Sequence, residues 1–354
     1  MRAPFPYHGN KVAAAGLIED LMGPVVNMVI PFAGGLGELL GRSRPAKVET
    51  VNDLDGHVVN VWRSMKYSPA ETAALCDEPV HEATLHAAHD LLVERRGALL
   101  ELVRSHPKAH DVELAAWWIW GKSAWLGGGW CASPGPRRPH LSNSCGQGVS
   151  VDHTTRKIPM LQGRDQGKGV HLTHRKIPTL GGQGARPHFG VGVVRRTNRQ
   201  IPLLRGSDGT GVGYGAGINS STHRHGLEAR FAQLAERLRW VRVTCGDWRR
   251  VLTRSVTTSH GLTGVSLDPP YCHSVRSSGL YAEDSATVAG EVREWALEHG
   301  NDKDFRIVLA GKGDEHVDLE AEGWSRHEWR ADGEVIWASP RCHVGGQLSL
   351  LGSR

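Results

Sequence analysis

Four residues, Asp268-Pro269-Pro270-Tyr271, close the apolar run Gly264-Val265-Ser266-Leu267. An acid, two prolines and an aromatic ring at the end of a predicted strand suit a planar ring that bears an amino group. The Asp268 carboxylate and the Pro269 carbonyl both accept hydrogen bonds, so together they can grip both protons of one exocyclic amine. Tyr271 offers a face for stacking, and Pro269 and Pro270 set the bend without adding competing N–H donors. A second acid, Asp53, lies 19 residues beyond Gly34 of the turn Pro31-Phe32-Ala33-Gly34-Gly35-Leu36-Gly37. Glycines at such a turn let a ligand approach the backbone, and an acid at that spacing can hold ribose hydroxyls. The turn has no Lys-Ser/Thr pair of a phosphate-gripping loop, which disfavours ATP and favours a nucleoside-type cofactor. A third acid, Asp247 of Gly246-Asp247-Trp248, could accept the amino group of an adenine, with Trp248 against the ring.

These acids need a scaffold. Residues 12–22 carry a helical pattern, 25–30 form a short buried-strand run, and Val48-Glu49-Thr50-Val51 leads as a second strand into Asn52-Asp53. Residues 69–125 read as helical, and the cluster Trp117-Trp118-Ile119-Trp120 fits a helix–helix core better than a stacking platform. Regular structure returns with a helix over 227–239 and a strand over 241–244. The strand ending in Asp268, a helix over 286–299 and a strand over 305–310 follow. Strands alternating with helices predict an α/β fold, a doubly wound, mainly parallel Rossmann-like sheet that binds ligands at the C-terminal edge of its strands. Asp53, Asp247 and Asp268 all fall at that edge. The expected organisation is a first half of the catalytic domain over 1–68, an inserted helical and basic, Gly-rich region over 69–226, and a second half over 227–354.

Charge is uneven. The chain of 354 residues has a formal charge of +5, yet residues 131–225 hold 14 Lys/Arg against 3 Asp/Glu, a local charge of +11. Within that segment a basic Ile-Pro motif occurs three times, as Arg156-Lys157-Ile158-Pro159, Arg175-Lys176-Ile177-Pro178 and Arg199-Gln200-Ile201-Pro202. Basic strips joined by glycine-rich loops suit a polyanion, so Arg156, Lys157, Arg175, Lys176 and Arg199 are expected on nucleic-acid phosphates rather than bases. Six scattered cysteines without a C-x-x-C pair point to free thiols and to no structural zinc. No stretch nears 18 uninterrupted apolar residues and no signal-like core opens the chain, so the expected location is cytoplasmic and no membrane partner is expected.

Taken together, these blocks resemble the Dam-like (D12 class) DNA adenine-N6 methyltransferases that use S-adenosylmethionine. Phe5-Pro6-Tyr7-His8-Gly9-Asn10-Lys11 is similar to the family's N-terminal block, which lies near the methionine end of the cofactor. Phe32, Ala33, Gly34, Gly35 and Gly37 match its glycine loop, Asp53 its ribose acid, Asp247 and Trp248 its adenine contact, and Asp268 to Tyr271 its catalytic motif. The resemblance implies cofactor contacts at Tyr7 and Lys11 as well. It further implies a flipped-out adenine in double-stranded DNA as substrate, a recognition segment between the two halves, and restriction–modification among the settings. Ile30 stands where the family usually has an acid, and Asn10 where a glycine is common. Hydrogen bonds from the adenine amine to Asp268 and to the Pro269 carbonyl would turn the nitrogen lone pair toward the sulfonium methyl and stabilise the charge growing on nitrogen. Methylation of cytosine N4 or of RNA, a methyltransferase acting on a protein amide or small molecule, and a non-catalytic nucleic-acid-binding protein with a methyltransferase-like fold are the alternatives the sequence leaves open.

Overall fold

Continuous apolar runs, rather than alternating ones, mark strands that are covered on both faces. That pattern builds the centre of the computed structural model, which describes residues 1–125, 130–131, 226–270, 287–330 and 333–343. Seven strands form one sheet: β1 (Asn27–Ile30), β2 (Val48–Asp53), β3 (Val241–Cys245), β4 (Thr263–Leu267), β5 (Phe305–Lys312), β6 (Ser325–Glu328) and β7 (Glu334–Ala338). Their spatial order is β3-β2-β1-β4-β5-β7-β6. The first five pair in parallel, with Asn27 opposite both Val48 and Thr263. β7 runs antiparallel between β5 and β6. The fold is therefore α/β with a mostly parallel sheet, compatible with a Rossmann-like architecture. The inserted antiparallel strand sets it apart from the 3-2-1-4-5-6 order of dinucleotide-binding sheets.

Alternate strand residues serve opposite layers. Met28 and Ile30 of β1 face a core shared with the helices α1 (Ala15–Met22), α3 (Gly56–Tyr67), α4 (Pro69–Cys76), α5 (Glu82–Ser105), α6 (Val112–Ala124) and α7 (Leu227–Leu238). Here α2 is the short helix Gly37–Gly41 that follows β1. Val29, Val265, Leu267, Ile307 and Leu309 face the second core, closed by α8 (Val288–His299). The period of two is that of a pleated strand whose successive side chains point to opposite faces.

Helices α4, α5 and α6, which the sequence groups with the basic segment, lie in the same compact unit as the sheet. α6 buries Trp118, Ile119 and Trp120, so this cluster is core, with Phe5 edge-on to Trp118 at 5.0 Å. α5 buries only Ala88, Leu92, Leu99 and Val103, one narrow face of a 24-residue helix. The buried guanidinium of Arg63 donates to the carbonyls of Val103, His106, Ala109 and Val243 and so ties α5 and its following turn to β3. Among the described residues, Cys76, Cys131, Cys245 and Cys342 are buried and free, and no helix is long and apolar enough to cross a membrane. Tyr271 and the five basic residues singled out between 156 and 199 lie outside the described residues.

Candidate active site

In a sheet wound both ways, the loops leaving adjacent strands part where the strand order reverses, and a crevice opens there. Here that point is the seam between β1 and β4, and a cavity of about 220 Å³ occupies it. Residues far apart in sequence line it: Tyr7 and Lys11, the turn from Pro31 to Gly37, Asp53, Asp247 with Trp248, and Asp268 with Pro270.

The glycine turn has a clear local cause. Gly34 takes φ +46°, a left-handed conformation that favours glycine, and Leu36 sits at φ +50° as the residue before α2. Space is equally short. A Cβ at Gly34 would meet the Tyr7 ring at 2.7 Å, and one at Gly35 would meet the Tyr7 Cβ at 2.8 Å. One at Gly37 would collide with the Asn10 side chain. The glycines thus admit the N-terminal block, with Tyr7 laid on the turn and Asn10 capping the short helix Lys11–Ala13 above it.

Asn52, 1% exposed, locks the strand ends together. Its amide donates to the carbonyls of Pro31 (3.1 Å) and Gly246 (2.8 Å), and its carbonyl accepts from the Thr244 hydroxyl (3.0 Å). Beside it, the Asp53 carboxylate accepts from the backbone N–H groups of Gly34 (2.8 Å) and Asp55 (2.9 Å). Burial, followed by the nearby charge of Asp55, pushes the Asp53 carboxyl up to about 7 against those stabilising N–H contacts. Asp247 accepts from the Arg249 backbone N–H (2.9 Å) and from its guanidinium (3.3 Å), and half of its side chain remains exposed. Trp248 is buried with the Phe32 ring 6.3 Å away, which gives the cavity an apolar wall.

At the β4 end, Lys11 is 4% exposed and its ammonium lies 3.0 Å from Asp268 Oδ1 and 3.7 Å from Glu334 Oε2 of β7. It also donates to the Gly9 carbonyl at 3.1 Å. Burial raises the Asp268 carboxyl above the usual carboxylate range, and the Lys11 ammonium opposes that rise. The sequence placed Lys11 among cofactor contacts; the structure sets its ammonium on the acid of the Asp-Pro-Pro-Tyr motif. Glu38, absent from the sequence reading, also lines the cavity at 6% exposure, and burial pushes its carboxyl up to about 7. Its signal was its position, one residue after the glycine turn on the face that α2 buries. No family model and no curated protein matches the chain, so the chemistry has to be read from the residues themselves.

Proposed function

We propose that the protein is an S-adenosylmethionine-dependent DNA methyltransferase that modifies the N6 amine of a flipped-out adenine. One observation carries this proposal: the glycine turn, Asp53, Asp247 and Asp268, spread over more than 230 residues of chain, line a single cavity at the strand-order reversal. The cavity's chemistry fits the proposed cofactor. Asp53 lies at the end of β2, where a carboxylate suits vicinal ribose hydroxyls, and Phe32 with Trp248 offers apolar surface for an adenine ring. A buried carboxyl oxygen without a hydrogen-bond partner, Glu38 Oε1, marks a further polar position in the same cavity. When bound, S-adenosylmethionine supplies an electrophilic methyl group on a sulfonium.

The remaining work falls to the chain. Asp268 Oδ1 is engaged by Lys11, so Oδ2 and the Pro269 carbonyl are the acceptors proposed for the two amine protons. Such acceptors draw electron density onto the nitrogen and stabilise the positive charge it gains in the transition state, and the proton that the methylated amine must lose passes to Asp268 or to solvent. Lys11 favours the ionised carboxyl against the burial that opposes ionisation. Holding the amine and the methyl donor in one cavity replaces a bimolecular encounter with a fixed alignment. A base within a duplex cannot enter the cavity, so the target nucleotide is extruded, with Tyr271 proposed to stack on it. Residues 69–226 are proposed as the recognition region, with Arg156, Lys157, Arg175, Lys176 and Arg199 on DNA phosphates.

The test pairs chemistry with binding. Asp268→Ala is expected to abolish formation of N6-methyladenine, read by mass spectrometry of digested DNA. It should still bind S-adenosylhomocysteine in calorimetry. Full methyl transfer by that variant would remove Asp268 from its role, and mass detection of N4-methylcytosine instead would change the substrate.

A further inference from the structure

We propose that Glu38 receives the ammonium group at the amino-acid end of the cofactor, an assignment that rests on the methyltransferase function proposed above. Glu38 stands in the first turn of α2, directly beyond β1, and its carboxyl accepts a hydrogen bond from the hydroxyl of Ser266 in β4. It therefore bridges the two strands whose divergence opens the cavity. Its Oε1 is buried and has no hydrogen-bond partner.

A carboxyl oxygen held out of water without a donor is costly, and the most effective remedy is a cationic donor. Among the described residues no neighbouring cation donates a hydrogen bond to Glu38 Oε1, and Arg42 Nε is itself left without a partner. Arg42, one turn along α2, reaches Met28 Sδ (3.8 Å) and the Arg44 carbonyl (3.4 Å), and Lys11 lies against Asp268. The strand order then fixes which part of a ligand arrives at Glu38. Asp247 follows β3, Asp53 ends β2, Glu38 follows β1 and Asp268 follows β4, in that spatial sequence along one sheet edge. A ligand with its adenosine over β3 and β2 carries its amino-acid portion over β1 and its reactive methyl toward β4. The group of S-adenosylmethionine that can donate to a carboxylate from that portion is the primary ammonium. β1 itself ends in Ile30, whose side chain offers no acceptor. Burial leaves the free Glu38 carboxyl at about 7, close to half protonated near neutrality, so an arriving cation has a proton to displace. The charged and polar groups facing it are Ser266 and Asp268 from the β4 side, Arg42 on α2, and Lys11 from the N-terminal turn.

The experiment compares two probes by isothermal titration calorimetry on the full chain: S-adenosylhomocysteine, and its desamino analogue, which keeps the thioether and carboxylate but lacks the ammonium. The wild type is expected to prefer S-adenosylhomocysteine by roughly 10- to 100-fold, the range of a charge-assisted hydrogen bond, and Glu38→Gln to bring the two within about threefold. In the wild type the preference should grow as pH rises from 6 to 8, since Glu38 must ionise to make the pair. A Glu38→Gln variant that keeps the wild-type preference overturns the assignment and leaves the methyltransferase function standing. So does a wild-type preference that is flat between pH 6 and 8, a readout that holds even if the variant does not fold. A wild type that binds neither probe overturns the cofactor, and this assignment with it.

Discussion

Glu38→Gln should make the protein more stable in mild alkali than the wild type, and the structure sets the size of the effect. Glu38 is held at about 7 in the folded chain against an ordinary value of 4.5. A carboxyl raised on folding favours the folded state while it stays protonated. That contribution is complete below pH 4.5 and is lost as the pH rises through 7. At 1.36 kcal/mol for each pH unit separating the two values, the loss amounts to about 3 kcal/mol. Gln keeps the shape and an acceptor for Ser266 but cannot ionise. Urea unfolding of both proteins at half-unit steps from pH 4.5 to 8.5 is the assay. The two free energies should nearly coincide at the acid end, then separate until the variant leads by about 3 kcal/mol above pH 8. Asp53, also raised to about 7, makes both curves fall over the same window and leaves their difference untouched. Parallel curves across the whole range would refute the reasoning, because they would mean that Glu38 does not change ionisation there.

Three other outcomes are expected. Asn52→Leu should cost about 3 kcal/mol in urea unfolding, since it strands the buried carbonyls of Pro31 and Gly246; a loss below about 1 kcal/mol would show that the two turns do not depend on it. Lys11→Met removes the cation 3.0 Å from Asp268, so the acid limb of the pH–rate profile for methyl transfer should move to higher pH. An unmoved limb would separate that ionisation from Asp268. Replacing Arg156, Lys157, Arg175, Lys176 and Arg199 by Gln should weaken DNA binding on every sequence and reduce the salt slope by about 4.5. A changed target preference with unchanged affinity would contradict phosphate contact.

The parts of this site that sequence made legible are those governed by local rules. Asp53, Asp247 and Asp268 each follow an apolar run, so their common placement at the C-terminal strand edge could be expected once strands and helices alternated. The glycine turn was equally visible, though its cause was not. The spacing suggested room for a cofactor, whereas the nearest occupants of the Cβ positions are Tyr7 and Asn10. The hairpin of β6 and β7 was not legible because β6, Ser325-Arg326-His327-Glu328, carries no apolar residue to mark it as a strand. Lys11 meeting Asp268 and Glu334 is a contact over more than 250 residues, and no spacing rule encodes it. Glu38 had no motif to mark it; its burial at the sheet seam comes from the packing of α2.

The sheet's strand order also shapes how the chain is made. β1 and β2 are complete by residue 53, yet β3, the outer neighbour of β2, begins at Val241, and β4, the other neighbour of β1, begins at Thr263. At about 5–20 residues per second, a ribosome needs roughly 10–40 s to cross that gap. Through that interval the nascent pair shows two open edges, the kind of surface on which strands of other chains aggregate. The Asn52 contacts with Thr244 and Gly246 and the Lys11–Asp268 ion pair cannot form until those later residues emerge. The cavity at the β1–β4 seam is therefore finished late in synthesis, and a chain stopped before residue 226 would carry the glycine turn without Asp247 or Asp268 to close it.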